Sequence, residues 1–128
     1  MTPIPSELNK ISGQIVNAAY KVHKELGPGL LEKVYEICLS HELVKRGFSV
    51  QRQLYIPIHY DNLTFDEGLR LDLLVNSLVV CEIKALETVN PVWEAQILSQ
   101  LKLTNLRLGL LINFNVPLMR DGIRRFVM

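Results

Sequence analysis

The chain has 128 residues, 48% hydrophobic, 21% charged and 7% aromatic, with 14 Lys+Arg against 13 Asp+Glu for a formal net charge of +1. That length suits one core and one domain over 1–128, and the apolar fraction with balanced charge excludes a disordered chain and one that holds nucleic acid by bulk charge. No apolar run approaches the ~18 residues of a membrane span and no signal-peptide pattern opens the chain, so a cytoplasmic protein without a membrane partner is expected.

Over residues 8–26 the apolar side chains fall at Leu8, Ile11, Ile15, Ala18, Ala19, Val22 and Leu26, the spacing of a helix with one buried stripe, and Ser6 is its expected cap. Gly27-Pro28-Gly29 stops this helix, because Pro28 has no N–H and glycine accepts positive φ. A second helix follows, with Leu30, Leu31, Val34, Ile37, Cys38 and Leu39 expected on its inner side and Gly47 as its C-cap. Residues 48–60 read as extended, with Val50, Leu54, Ile56 and Ile58 among polar neighbours and Pro57 marking an edge strand. Asp61-Asn62 is a turn, and strands over 69–75 and 78–85 follow, joined at Asn76-Ser77. Asn90-Pro91 opens a helix to about Asn105, and residues 106–114 form an apolar run suited to a strand covered on both faces. Residues 116–128 are too short and mixed for an assignment.

This order predicts an α/β (α+β mixed) class, a central mixed sheet flanked by helices. The last strand should run parallel to the 78–85 strand, since a strand–helix–strand crossover returns right-handed in nearly all cases. The Pro91 helix then starts above the carboxyl end of that strand, where ligand crevices of such sheets lie.

Cys38 and Cys81 are far apart, each in an apolar stretch, and read as buried thiols rather than zinc ligands. His23, His41 and His59 are scattered, so neither a histidine metal site nor a triad can be drawn.

Charges inside the apolar strands carry more information. A two-residue loop at Asn76-Ser77 would pair Asp72 with Cys81, mixing charged and apolar residues on both faces. A three-residue loop, Asn76 to Leu78, pairs Val75 with Val79, leaves Leu71, Leu73 and Val75 on an apolar face, and gathers Arg70, Asp72, Glu82 and Lys84 on the other. We adopt the second register. Facing carboxylates repel by up to ~1 kcal/mol, and by more when desolvated. Lys84 offsets part of this repulsion and a divalent cation would offset more; an ion-pair cluster on a solvated face is the plainer reading of the same four charges. Glu32 stands in the first turn of the second helix, where the helix dipole alone favours an acid. Gln96 and Gln100, four apart, share a helix face near the strand ends.

Gly29-Leu30-Leu31-Glu32-Lys33-Val34-Tyr35 resembles the G-x-x-E-x-x-Y motif that names a family of small bacterial and archaeal proteins. Further blocks agree: Arg70-Leu71-Asp72, Glu82-Ile83-Lys84, Ala95-Gln96 and Gly109-Leu110-Leu111-Ile112-Asn113-Phe114. The resemblance covers about Ile11 to Val127, and that family looks like a branch of the PD-(D/E)XK nuclease superfamily, with its restriction-endonuclease-like core. It implies that Asp72 and Glu82 bind Mg²⁺ or Mn²⁺, that Lys84 orients the attacking water or stabilises phosphate charge, and that Glu32 is a metal-side acid reached directly or through water. Gln96 matches the glutamine of the Q-x-x-x-Y motif of RecB-like exonucleases, which helps orient the site. Arg70-Leu71 stands where a proline is expected before the acid, and Gln100 replaces the tyrosine, which departs from the DNA-end-processing pattern.

The chemistry suits these residue types, since phosphodiester hydrolysis needs phosphate charge neutralised and a water made nucleophilic near neutral pH. A metal-dependent nuclease acting on DNA or RNA is the first expectation; a nuclease-fold nucleic-acid or protein binding module without catalysis is the alternative, and charges serving stability alone a third. Trp93 and the 106–114 strand are the candidate faces for a homodimer. Residues 66–87 hold five acids and two bases, a local −3, whereas 120–128 hold Arg120, Arg124 and Arg125 against Asp121, a basic tail suited to a phosphate backbone.

Overall fold

The computed structural model describes residues 2–128. Helix α1, Ser6–Leu26, buries Leu8, Ile11, Ile15, Ala18, Ala19 and Val22, as its spacing requires. Ser6 is the first helical residue rather than the cap; Pro5 precedes it, and no side chain caps the end. The chain then turns through Gly27 at φ +71° and Gly29 at φ +95°. Both values lie where a Cβ would be strained.

One side chain secures this corner. The Tyr35 hydroxyl donates to the Gly27 carbonyl at 2.6 Å and accepts the Leu30 N–H at 3.0 Å. Its ring stacks on Phe114, with centroids 4.6 Å apart and planes 3° from parallel. Helix α2, Glu32–Lys45, therefore buries Leu39 as expected but is rotated so that the other apolar residues expected inward turn partly or wholly outward. Tyr35, Leu39 and Leu43 are buried, while Leu30, Leu31, Val34 and Ile37 are 40%, 77%, 38% and 41% exposed. Cys38 is half-buried against the core. The helix carries two apolar stripes, and the Tyr35 anchor decides which one faces the sheet. Glu42 follows the same inward rotation and is compensated by Lys21, Lys45 and Arg46 at 3.2, 3.6 and 3.2 Å. Arg46, not Gly47, is the C-cap, and Gly47 follows it at φ +91°.

Five strands form one sheet in the order β1 (Val50–Tyr60), β2 (Leu63–Val75), β3 (Val79–Lys84), β4 (Leu108–Asn113), β5 (Ile123–Val127). Only β3 and β4 run parallel, joined by the crossover helix α3, Val92–Thr104. β1 is an edge strand, and its register with β2 shifts between Ile56 and Ile58, at Pro57, where a missing N–H does least harm. β2 begins at Leu63 rather than at 69, so the β1–β2 hairpin is longer than its apolar pattern indicates; its outer half, with Tyr60, Leu63 and Phe65, is exposed and shows no burial alternation to read. The unassigned tail supplies β5, which closes the sheet beside β4.

α1 and α2 cover one face, packing on Leu73, Val75, Val79, Cys81, Ile83, Leu110 and Ile112. α3 covers the other, where Trp93, Ile97 and Leu101 meet Leu71, Leu74, Val80, Leu111 and Phe126. Trp93 is 5% exposed and every β4 residue is buried, so the two faces offered for a homodimer are core instead. No helix among the described residues is long and apolar enough to cross a membrane.

Removing the hydroxyl that bridges the corner leaves a part-buried carbonyl and a part-buried amide without their shared partner. Tyr35→Phe is expected to lose about 1–3 kcal/mol in urea denaturation with an unchanged m-value. Unaltered stability would show that the corner holds without it.

Candidate active site

The connection after β2 has the expected three-residue register, with Val75 opposite Val79, Leu74 opposite Val80 and Leu73 opposite Cys81. Asn76 and Ser77 take left-handed conformations at φ +51° and +56°. One position beyond Leu73 the backbone ladder stops. There the Asp72 carboxylate, not a main-chain carbonyl, accepts the Ile83 N–H at 2.8 Å.

Both neighbouring strands change face at this level. Simple alternation would send Leu71 to the side of Leu73 and Val75, but Leu71 joins the α3 core with Leu74. Across β1, Gln53 sits at φ +51° between the paired residues Arg52 and Leu54. A residue with a Cβ held there costs about 1–2 kcal/mol. As a result the consecutive side chains of Arg52 and Gln53 reach the same acid, Glu36 on α2, at 2.8 and 2.5 Å. The apolar face expected from Leu71, Leu73 and Val75 is thus broken at the point where Asp72 turns into the site.

Asp72 is 2% exposed. The Glu82 carboxylate accepts from Gln100 Nε2 at 3.0 Å through Oε2 and faces Lys84 Nζ at 3.6 Å through Oε1. Lys84 also stands 5.4 Å from the centre of the Trp93 ring, a cation–π contact that holds its ammonium near the carboxylate. Burial, and then the charge of Asp72, push the Glu82 carboxyl up to about 7, against the opposing pull of Gln100 and Lys84. Glu32 is likewise raised, first by desolvation and then by Asp72, with Lys84 opposing. Glu32, Asp72, Glu82 and Lys84 therefore share one electrostatic neighbourhood, with Asp72 and Lys84 acting on both Glu32 and Glu82. Arg70 belongs to its margin, lining the cleft beside Glu82 and Lys84. The Cys81 thiol, buried among these acids, is pushed far above its ordinary value by desolvation first and by Asp72 and Glu82 after it.

The two glutamines divide differently from expectation. Gln96 is exposed and lines the cleft, whereas Gln100 is buried and grips Glu82. The residue that departs from the Q-x-x-x-Y pattern is the one touching the acid. Its Oε1 is buried with no hydrogen-bond partner. Asn113 appeared in the sequence only as part of a matched block and was given no role there, although a polar residue ending an apolar run was visible. It ties down the segment after Lys84, accepting the Leu86 N–H at 3.2 Å and donating to the Leu86 carbonyl at 2.9 Å.

The basic tail does not form one patch. Arg124 points toward Glu94 of α3 at 3.4 Å, Arg125 donates to Asn9 of α1 at 2.6 Å, and Arg120 neighbours Asp121 at 3.9 Å. Alternation along β5 puts Arg124 and Arg125 on opposite faces of the sheet.

Among the described residues no three His, Cys, Asp or Glu side chains are gathered closely enough to cage a metal ion. The donors present are nevertheless hard oxygens, and the Asp72–Glu82 repulsion is only partly relieved by Lys84. That donor set suits Mg²⁺ or Mn²⁺, which take one or two carboxylates and keep several waters.

The raised Glu82 makes stability depend on pH. Its folded value near 7 exceeds the ordinary 4.5, so the folded state holds the proton longer than the unfolded chain does. Its stabilising share is fully present below 4.5 and is lost as pH rises through about 7, by roughly 3 kcal/mol at most. Thermal melts in chelator across this window should show the fall, and Glu82→Gln should flatten it. An equal fall in the variant would refute the assignment.

The family model described as the PD-(D/E)XK nuclease superfamily matches residues 9–126. No curated protein and no solved structure matches the chain. The five-stranded mixed sheet with three helices is consistent with the restriction-endonuclease-like fold of that group, whose nucleases generally use divalent metals. A match that leaves only short segments at either end outside it makes the chain a member of the PD-(D/E)XK nuclease superfamily.

Proposed function

We propose that the chain is a divalent-metal-dependent nuclease of the G-x-x-E-x-x-Y branch, hydrolysing phosphodiester bonds of DNA or RNA. The observation that carries this reading is the buried Asp72–Glu82 pair with Lys84 Nζ 3.6 Å from Glu82. Such an arrangement costs stability by itself, which a core has no reason to keep. The branch assignment draws on the way its motif residues act as a unit: Gly29 turns the corner, Tyr35 secures it, and Glu32 begins α2 within electrostatic reach of Asp72.

Asp72 and Glu82 would hold Mg²⁺ or Mn²⁺, with Glu32 engaged through water. When bound, such an ion neutralises charge on the phosphate and makes a water nucleophilic near neutral pH. Asp72 keeps one carboxylate oxygen on the Ile83 N–H, which fixes its plane and leaves Oδ1 for the site. Gln100 orients Glu82 in the same way through Oε2. Lys84, with its ammonium between Glu82 and the Trp93 ring, presents a compact positive charge to a phosphate oxygen or to the attacking water.

Cleavage assays on single- and double-stranded DNA and RNA with Mg²⁺ or Mn²⁺ test the reading. Lys84→Ala should lower the rate by about 10²–10³ while the protein still binds Mn²⁺ in calorimetry. Asp72→Ala should lose both activity and Mn²⁺ binding. No cleavage of any of these substrates, together with no Mn²⁺ heat in the wild type, would end the proposal.

A further inference from the structure

Beside the acidic pair lies a cleft of 590 Å³ between the β1–β2 hairpin and α3. Its size falls within the range of small-ligand sites, about 300–1,000 Å³. Glu82 and Lys84 are on its floor, Gln96 and Ser99 on the α3 side, and Tyr55 and Arg70 on the hairpin side. Tyr55 and Arg70 are direct cross-strand partners. Their side chains form a neighbouring aromatic and cationic pair at one lip of the cleft.

The charge available there is too small for a duplex. Lys84, 16% exposed and paired with Glu82, is taken by the chemistry proposed for it at the scissile phosphate, so Arg70 is the further cation among the cleft-lining side chains. No ion pair or side-chain hydrogen bond engages Arg70 among the described residues. The three tail arginines, which would be needed for a phosphate track, are divided between the two faces of the sheet. Duplex binding rests on several phosphate contacts at once, each a Lys or Arg. A single strand needs fewer, because its unstacked bases supply affinity by stacking on aromatic side chains. Tyr55 is 50% exposed and packs in neither core, so its ring is free to do this.

We propose that this cleft is a subsite for an unpaired nucleotide, with Tyr55 stacking on the base and Arg70 meeting the adjacent phosphate, so that the substrate is single-stranded nucleic acid. The inference rests on the nuclease reading for what happens to the bound strand, but its binding step stands apart from catalysis. Neutral amide and hydroxyl groups of Gln96 and Ser99 on the opposite wall allow hydrogen bonding to a base edge without demanding one sequence. Arg70, the cross-strand partner of Tyr55, acts as a single phosphate clamp.

Binding measured without cleavage tests this. The probes are a fluorescein-labelled single-stranded DNA oligonucleotide of about a dozen nucleotides, its RNA counterpart and the corresponding DNA duplex, followed by anisotropy in EDTA. A single strand should bind about tenfold or more tightly than the duplex. Tyr55→Ala should weaken single-strand binding by about 5- to 150-fold, the equivalent of one stacked base, and Tyr55→Phe should retain it. Arg70→Ala should lower the slope of log affinity against log salt by about 0.7. Tyr55→Leu keeps apolar packing while removing the ring, so a loss there with an unchanged melting temperature separates stacking from folding.

Duplex binding as tight as single-strand binding, or Tyr55→Ala and Tyr55→Leu binding like the wild type, would overturn the subsite. Metal-dependent cleavage that persists unchanged in those variants overturns it while leaving the nuclease reading intact. Tyr55-dependent single-strand binding by a protein that cleaves nothing and gives no Mn²⁺ heat sustains the subsite and removes the nuclease.

Discussion

A hydrogen bond from the Ile83 amide to the Asp72 carboxylate governs the arrangement of the site. It takes the place of a main-chain bond at the end of the β2–β3 ladder, so the strands part where an acid is needed and no backbone donor is orphaned. The change of face at Leu71 and the left-handed Gln53 on the next strand occur at the same level. Local strain of this kind persists only where surrounding structure holds it, and Glu36 does so by taking both Arg52 and Gln53. A regular sheet would have buried Asp72 against α3 or exposed it to solvent. This one holds it at the seam between the two layers.

The second constraint reaches the site from the opposite side. Two glycines in positive φ make the α1–α2 corner, and the Tyr35 hydroxyl satisfies two part-buried polar groups of that corner. Stacking on Phe114 ties that phenol to the segment following β4. Asn113, immediately before it, binds the loop following β3. The helix start that carries Glu32 and the strand end that carries Lys84 are therefore referred to the same stretch of chain, residues 113–114. Precision in the site comes from this shared attachment rather than from the acidic residues themselves.

Electrostatically the site is held away from its own optimum. Glu82 is raised because burial and Asp72 outweigh Gln100 and Lys84, and Glu32 is raised toward the same centre. Carboxylates in that state are poised for a positive partner, since relief of their repulsion adds to whatever affinity coordination provides. Gln100 contributes in a way that a tyrosine at its position would do differently: an amide can donate to an ionised acid and keep an acceptor in reserve. The near-zero net charge of the chain is the sum of this acidic centre and of cations spent on ion pairs elsewhere, at Glu42, Glu36 and Glu94.

Much of the fold was legible because it rests on local chemistry. Helix periodicity in α1, glycine at the corner, Pro57 at the edge, the three-residue turn and the parallel return of β4 all follow from what neighbouring residues permit. The nearness of Asp72, Glu82 and Lys84 was legible as well, since the turn length fixes which residues of β2 and β3 lie across from one another. What failed inside the core has one physical cause, that several choices were locally equal. α2 has two apolar stripes and only the Tyr35 bridge selects between them; Gln96 and Gln100 share a helix face, and only depth in the fold separates the exposed one from the one on Glu82. Alternation could not foresee the face switch at Leu71, because that depends on an Asp72 carboxylate finding an amide on another strand. The sequence by itself determined the element order as far as β4, the β2–β3 register and the spacing of two acids and a lysine on adjacent strands. The tertiary structure alone decided which helix face is buried, where the arginines end up and which glutamine holds the acid, because those outcomes turn on contacts between residues far apart in the chain.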